Sequence, residues 1–410
     1  MRVIISFAAL FLSIAFVQLG AGTLSPLDAL SGRALGFSTR EIGLLGSAHF
    51  VGFIGGCILT PAIMARVGHS RAFAVFAAMG TISALLHPVF ESAQVWAILR
   101  IATGATVAGA YTVVESWLQA KATNENRGRV SSVYRVVDLT ASLGAQVMIA
   151  GLEPAAYVSY NIIACFLCLS LLPLTLTTAK APPSPTTPKL RVLKAVRLSP
   201  LGAAGVVTVG LSTSSFRMVG PLYGDVNGLV PSQIGLFLAA AVLGGALAQP
   251  VMGYVSDRFD RRKILIVVSM LALASCAFFV TRPTVQSFSE LLTASFLFGA
   301  SSFPLYSVSA AHANDYAEAD FVVELNASLV MMYGIGAVVS PLLASELIER
   351  FGPAAMFAYI GTAHAALMIF GIWRMTRRPL SAIKTPHTYR PRASMRLEKL
   401  LSRRNGRSSS

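Results

Sequence analysis

Charged residues are scarce in this sequence. Only 12% of the 410 residues are charged, whereas 54% are hydrophobic and the mean hydropathy is +0.65. An ordinary soluble domain carries about twice that charged fraction. A soluble chain this apolar would have too few polar side chains to cover its surface. The shortage of charge therefore excludes an ordinary soluble protein and points to the lipid bilayer as the solvent.

Acidic residues are the rarer sign, with 18 Asp and Glu against 33 Lys and Arg, a net charge of +15. This excess does not predict nucleic-acid binding, because the basic residues lie in short loops and a tail between apolar runs. The 34 residues from 377 to 410 contain ten basic residues and one acid, Glu398. We expect this tail either to lie on anionic lipids as a short amphipathic helix or to be disordered.

Catalytic and metal-binding patterns are also missing. The four cysteines lie in apolar segments, and Cys165-x-x-Cys168 has neither a second cysteine pair nor a nearby histidine. We therefore expect these cysteines to pack between helices rather than bind a metal or form disulfides. Neither Gly-x-Ser-x-Gly nor a phosphate-binding Gly-x-x-x-x-Gly-Lys occurs. The sequence predicts no enzyme, no cofactor and no nucleotide-driven pump.

Long apolar windows are abundant. A membrane-spanning helix needs about 20 mainly apolar residues. Twelve windows fit: 3–24, 41–64, 72–90, 94–117, 130–150, 154–176, 200–222, 232–255, 264–281, 286–311, 321–347 and 353–375. The first is too long for a signal peptide and is read as helix 1. With a cytoplasmic N-terminus, the inner loops hold 15 Lys and Arg and the outer loops hold 4. That bias predicts that both termini are cytoplasmic.

The sequence repeats internally. Residues 36–71 align on residues 228–263 without a gap after a shift of 192. Parallel repeats of this kind build transporters in which the substrate site lies between two halves. We predict an all-α membrane protein with two pseudo-symmetric six-helix bundles. The predicted segments are an N-terminal bundle 1–177, a cytoplasmic linker 178–199, a C-terminal bundle 200–376 and the basic tail 377–410.

Two motifs carry a family resemblance. The stretch Gly253-x-x-x-Asp257-Arg258-x-x-Arg261-Arg262 and the segment "LRIATGATVAG" with Arg100 resemble signatures of the major facilitator superfamily. The segments "VESWLQAKATNENRGR", "ARVGHSRAF" and "PLYSVSAAHANDY" are similar to a bacterial YcaD-like branch. The resemblance implies alternating access in a bacterial inner membrane. Drug efflux is disfavoured, because the helix-5 region "LTASLGAQVM" lacks the antiporters' Gly-Pro-x-x-Gly-Gly element.

Charges inside the predicted helices are candidate transport residues, since ionisable groups at bilayer depth usually face a cavity or pair. Arg135 and Asp138 lie three residues apart on one helix face. They form either a proton-titrating or substrate-binding site or a permanent ion pair. Arg100 either handles protons or anions, as the resemblance implies, or is structural. With Arg217, the count of three deep arginines against one aspartate predicts an anionic or zwitterionic substrate.

The resemblance also implies that helices 1, 4, 7 and 10 line the cavity. His49 either relays protons near neutral pH or is a hydrogen-bonded residue of a packed helix. Glu115 either takes part in proton coupling or pairs with the loop that carries Arg127 and Arg129. The implied lining residues are Gln18, Arg100, Arg217, Tyr223, Ser302 and Tyr306.

Six charges between Ser256 and Lys263 predict a gate at the inner end of helix 8. Asp257 would lie at the C-terminus of its own helix, where the helix dipole disfavours a carboxylate. The family resemblance implies that helix 8 abuts helix 5, so we expect Asp257 to bind the start of helix 5, with the basic residues Arg127 and Arg129, when the transporter is open to the outside. Arg261 would tune this contact, and the resemblance assigns Gly253, Arg258 and Arg262 to the same motif.

In the first half, Ala65 takes the place of Asp257, although Arg66 and Arg71 remain. We hypothesise that the acid has moved across the interface to Asp320 or Glu324, at the start of helix 11. The alternative is that these two acids only serve the N-terminus of their own helix.

The sequence thus predicts a secondary transporter for a small organic solute, coupled to protons and monomeric. The alternative is a membrane sensor or scaffold that keeps this fold without transport. A transporter should have a polar, water-accessible centre, whereas a scaffold should have an apolar one.

Overall fold

The computed structural model describes residues 7–123, 126–177, 190–282, 287–318 and 320–377, and no strand occurs in these ranges. The predicted lipid-binding tail and linker residues 178–189 lie outside them. The α-helices are α1 (Ala8–Ala34), α2 (Thr39–Val67), α3 (His69–Leu86), α4 (Ala93–Lys121), α5 (Arg127–Met148), α6 (Tyr157–Leu169), α7 (Leu171–Leu176), α8 (Val192–Leu198), α9 (Pro200–Val226), α10 (Pro231–Arg258), α11 (Arg261–Thr281), α12 (Phe288–Ser302), α13 (Leu305–Asn314), α14 (Val322–Phe351) and α15 (Ala355–Arg377).

The all-helical prediction is confirmed, and each of the twelve windows contains one helix or a broken pair of helices. Within the described ranges, ten helical segments are long and apolar enough to cross a membrane. An eleventh is added if α8 and α9, bent by 117°, count as one span. The helix α5 does not qualify, since its sequence includes Arg129, Arg135 and Asp138. Twelve membrane crossings therefore remain a prediction.

The sequence repeat has a counterpart in the backbone. Gly36 and Gly228, which precede α2 and α10, have φ angles of 82° and 78° that glycine adopts without strain. Two residues later each helix is capped in the same way. The Ser38 N–H donates to Glu41, and the Val230 N–H donates to Gln233, over 2.8 Å and 3.2 Å. Equivalent sequence positions therefore start equivalent helices.

Glycine also sets how closely the helices approach inside each half. A Cβ on Gly52 would collide with the Ile101 carbonyl of α4, and one on Gly244 would collide with the Phe296 carbonyl of α12. Each glycine thus lets two helix backbones touch. The pairs α2–α4 and α10–α12 are accordingly among the most extensive helix contacts.

Helices from the two halves also pack on each other, α2 against α14 and α5 against α10. A side chain at Gly43 would collide with Ser345 of α14, and one at Gly235 would collide with the Gln146 carbonyl of α5. Arg33 and Asp225 also form a salt bridge between the halves, where α1 and α9 end. We call this end of the molecule the Arg33 end. Close cross-half packing is therefore found at the Arg33 end.

The opposite end carries Asp257 and is called the Asp257 end. Here Arg66 and Arg71 are exposed, and neither forms a salt bridge with a described residue. Gly253 also borders open space, since a Cβ added to it would have no neighbouring atom within 4 Å. Arg66, Arg71 and Gly253 therefore lie open at this end in this conformation, whereas Arg262 is buried.

Candidate functional site

A polar cluster in the middle of α1, α4 and α5 contains Asp138. The Tyr111 hydroxyl of α4 lies within hydrogen-bonding distance of the Asp138 carboxylate and 2.7 Å from the Gln18 side chain of α1. A tyrosine hydroxyl has one proton to donate. When Asp138 is ionised it accepts the hydrogen bond from that hydroxyl, and Gln18 must then present its amide N–H₂ to the hydroxyl oxygen. The network therefore joins three helices through one titratable carboxylate.

Arg135 is the charged neighbour of Asp138, as their spacing predicted. Its Nη1 lies 3.8 Å from Asp138 Oδ2, and its side chain is 58% exposed, whereas that of Asp138 is 16% exposed. A salt bridge this long and this accessible is weak. The arrangement leaves the carboxylate within reach of solvent.

Glu115 lies one helical turn from Tyr111 on α4. It accepts a hydrogen bond of 3.1 Å from the Tyr134 hydroxyl of α5, and it forms no salt bridge with the described side chain of Arg129. Arg129 is exposed, and the side chain of Arg127 lies outside the described part of the structure. Glu115 therefore extends the polar face of α4 and α5 towards the Asp257 end.

The second half contributes Arg217 to this region. Its side chain is exposed, stands over the Phe303 ring at 5.6 Å, and interacts electrostatically with Tyr111 and His49. His49 itself is buried against Phe50. Arg217 thus lies within electrostatic range of Tyr111, a member of the Asp138 cluster, although it belongs to the other half of the chain.

The predicted lining residues do not all share one location. Tyr306 is half-buried beside Tyr333, with ring centroids 6.0 Å apart. Tyr223 is 1% exposed among aromatic rings of the second half, including Phe357 at 4.9 Å, and Ser302 is fully buried. These last two pack in the core of the second half because the faces of α9 and α12 that carry them turn inward.

Arg100 has a partner that the sequence analysis missed. Its Nη1 lies 3.5 Å from Asp28 Oδ2, and its Nη2 donates to the Ser25 hydroxyl at 2.8 Å. The Tyr160 hydroxyl donates to Asp28 Oδ1 over 3.0 Å, and His87 Nε2 is 3.3 Å from Oδ2. Asp28 and Arg100 are 2% and 1% exposed. They form a buried ion pair that links α1 to α4.

Asp28 was overlooked because the first apolar window ends at residue 24, whereas α1 continues to Ala34. The apolar residues Leu27 and Leu30, which flank Asp28 and are buried, were the available signal. With Asp28 included, the described deep charges are three arginines against two aspartates. Because Asp28 offsets Arg100 and Asp138 offsets Arg135, the uncompensated charge that still favours an anionic substrate is that of Arg217.

The charged motif at the end of α10 binds within its own half. Asp257 accepts from Arg261 Nη2 over 3.0 Å, and Arg261 also pairs with Asp315 and donates to the Ala311 carbonyl over 3.0 Å. Asp257 therefore binds α11 in this conformation, and no salt bridge joins it to the described Arg129 at the start of α5. Arg258 stacks on the Tyr254 ring at 4.1 Å. The motif ties the ends of α10, α11 and α13 together.

Asp260 caps α11 by accepting from the Arg262 N–H at 3.0 Å, and Arg262 Nη2 lies 2.9 Å from its carboxylate. Partial burial raises the pKa of Asp260. The side-chain and backbone hydrogen bonds from Arg262 outweigh burial and hold that pKa below its usual value. Asp260 is therefore ionised and fixes the turn between α10 and α11.

Glu324 pairs with Arg191 and not with Arg66 or Arg71, the partners that the sequence predicted. Its Oε2 lies 3.1 Å from Arg191 Nε, next to the linker helix α8. Asp320 is exposed. Neither acid contacts Arg66 or Arg71 within the described residues, so the predicted exchange across the interface is not formed in this conformation.

A model of a known protein family matches most of this chain. The Major Facilitator Superfamily model matches residues 10–230 and 202–405. The chain belongs to the Major Facilitator Superfamily. Its members are transporters rather than enzymes, so this chain is a multi-pass membrane transporter of that family.

Relatives place it in a branch of this superfamily. The MFS-type transporter YcaD of Escherichia fergusonii is 26% identical over 354 residues, covering 84% of this chain and 90% of that protein. YcaD of Shigella flexneri is 28% identical over 333 residues, covering 79% of this chain and 84% of the relative. The YcaD-like resemblance is confirmed.

Solved structures share the fold at low identity. The nucleoside transporter NupG has a TM-score of 0.74 at 11% identity, covering 91% of this chain and 98% of its own. The D-xylose-proton symporter also has a TM-score of 0.74, at 14% identity, covering 93% and 99%. At this identity the likeness concerns the fold.

Proposed function

We propose that this protein is a proton-coupled secondary transporter that moves a small organic solute by alternating access. Twelve spans in two six-helix bundles, 1–177 and 200–376, would hold the solute between them in a bacterial inner membrane. Both termini would face the cytoplasm. On this orientation the Arg33 end is the outer face, and its close packing supports assigning this conformation to an inward-open state.

The observation that carries the proposal is the Tyr111–Asp138 hydrogen bond at the centre of α4 and α5. An ionised Asp138 accepts a hydrogen bond from the Tyr111 hydroxyl. A protonated Asp138 becomes a donor, so Tyr111 can turn its own hydrogen bond to Gln18, 2.7 Å away. Proton uptake would thus reverse the direction of both hydrogen bonds and remove the negative charge beside Arg135. The loss of that charge offers a physical route from protonation to movement of α5.

The solute would be anionic or zwitterionic, because Arg217 is exposed without a salt bridge to a described carboxylate, and Arg135 and Asp138 offer one charge of each sign. The names of the structural neighbours add sugars and nucleosides as polar solutes for testing. The same exposed charges favour a transporter over a sensor or scaffold, for which an apolar centre is expected.

The first experiment is a thermal-shift screen of organic anions, amino acids, sugars and nucleosides on purified protein. A solute that binds only the folded state raises the melting temperature. Uptake of that solute is then measured in proteoliposomes with and without an inward proton gradient. The scaffold alternative predicts that no solute raises the melting temperature and that none is taken up.

The second experiment tests the coupling residue. Asp138→Asn should abolish accumulation driven by the proton gradient while preserving part of the exchange in counterflow, since asparagine cannot titrate. Glu349→Gln is the matched control, because Glu349 is an exposed carboxylate at the end of α14. Normal gradient-driven accumulation by Asp138→Asn would refute the assignment of Asp138.

A further inference from the structure

A groove runs along the side of the second half between α10, α11 and α12. Its volume is about 660 Å³, which lies within the range of pockets that bind one small ligand. The exposed side chains of Leu271 and Leu297 flank it. Alanines at positions 248, 274 and 300 leave the space open.

Three polar residues in the groove walls have hydroxyl groups that already donate hydrogen bonds within the protein. Ser275, Thr293 and Ser301 each donate to a carbonyl of their own helix, over 3.0, 2.8 and 2.8 Å. The remaining wall is formed mainly by aliphatic and aromatic side chains such as Met252 and Phe278. A ligand buried here must therefore be hydrocarbon along most of its length.

The mouth of the groove is charged. Arg282 Nη1 lies 3.0 Å from Glu290 Oε2, with side chains 56% and 45% exposed. An exposed ion pair of this kind is weak, so separating the two groups costs little. Arginine binds phosphate oxygens through charge-assisted hydrogen bonds, and a carboxylate binds an ammonium group in the same way. The mouth therefore complements a zwitterionic group that carries a phosphate and an ammonium group.

The length of the groove matches one leaflet of a membrane. Leu271 on α11 and Arg282 just beyond it are 11 positions apart, as are Glu290 and Ser301 on α12, and each spacing corresponds to a rise of about 16 Å. Half of the bilayer's hydrocarbon core is about 15 Å. The charged mouth and the apolar walls thus have the spacing of a lipid headgroup and its acyl chain.

We propose that this groove binds one zwitterionic phospholipid, with an acyl chain along α11 and α12, its phosphate on Arg282 and its ammonium group on Glu290. On the proposed orientation this lipid belongs to the outer leaflet. The site is separate from the Asp138 cluster, and its occupancy does not require that Asp138 carries protons. A second copy of the chain is the competing occupant, but the acyl-chain length of the apolar walls favours a lipid.

The test is native mass spectrometry of protein reconstituted in an equal mixture of phosphatidylethanolamine and phosphatidylglycerol of the same chain length, then released into detergent. Ala274→Trp fills the groove from an exposed position on α11, and Ala277→Trp places the same ring at an exposed position outside the lining. We expect wild type and Ala277→Trp to retain phosphatidylethanolamine and Ala274→Trp to lose it. Glu290→Gln should reduce the preference over phosphatidylglycerol by up to about fivefold, the effect of one exposed ionic contact.

Equal lipid retention by the two tryptophan variants would overturn the proposal. So would equal binding of the two lipids by wild type. Loss of a dimer mass in Ala274→Trp, with unchanged lipid binding, would assign the groove to a second copy of the chain. All these outcomes can be read without a transport assay.

Discussion

Arg33 and Asp225 form a salt bridge across the two halves, with Arg33 Nε 3.3 Å from Asp225 Oδ2. They are 192 residues apart, which is the offset that aligns the two halves of the sequence. Positions related by a two-fold axis can contact each other only where they lie close to that axis. The pair therefore joins the ends of α1 and α9 near the pseudo-symmetry axis, and it must break when the halves separate at this end.

Arg33→Ala should shift the population towards the state that is open at the Arg33 end. The pair is exposed, so we expect a change of about 0.2–1 kcal/mol, or up to about fivefold in the population ratio. The measurement is the distance distribution between spin labels at positions 40 and 232 in a cysteine-free background. The charge-swapped pair Arg33→Asp with Asp225→Arg should restore the original distribution. An unchanged distribution in Arg33→Ala would show that the bridge is not a latch.

The buried pair of Asp28 and Arg100 makes a separate prediction. Asp28→Asn leaves the Arg100 charge without its carboxylate, and removing one partner of a buried pair costs about 3–5 kcal/mol. Denaturation of the solubilised protein should show this loss. The double variant Asp28→Asn with Arg100→Gln should recover part of the stability. A double variant that is as unstable as the sum of both singles would contradict a coupled pair.

Asp260 should make stability depend on pH in the acidic range. Its pKa is lower in the folded protein than the usual value of about 3.9. Its contribution is therefore complete above the usual value and is lost as the pH falls through the lower, folded pKa. Asp260→Asn should lower the melting temperature at pH 7, and the difference from wild type should shrink at strongly acidic pH. Glu349→Gln is the control, and the same difference at every pH would contradict the prediction.

The inner latch also remains a prediction for the outward-open state. Arg71→Glu should impair transport, and adding Glu324→Lys should partly restore it, with Asp320→Lys as the second pairing. Because Glu324 contacts Arg191 here, Glu324→Lys alone must be measured too. The transport rate in proteoliposomes is the readout. If neither double variant exceeds its single variants, the acid has not moved across the interface.

The sequence predicted the helices well, because apolar windows and capping residues are local features. The positions of α2 and α10 followed from the repeat, and the capping contacts of Ser38 and Val230 match it. The pairing of Arg135 with Asp138 was also predictable, since residues three apart on a helix share a face. Hydropathy failed at Asp28, because a window average ends where a charge appears, although the helix continues.

The sequence alone determined that this protein lies in a lipid bilayer, which segments are helical and how charges are spaced within each helix. The tertiary structure decided which of those charges meet. Asp28 finds Arg100 in α4, Glu115 finds Tyr134 in α5, and Glu324 finds Arg191 beside α8. These partners are distant in sequence or lie on different elements, so their pairing depends on how the helices are rotated and packed. That packing is set in part by glycine contacts between helix backbones, which hydropathy does not describe.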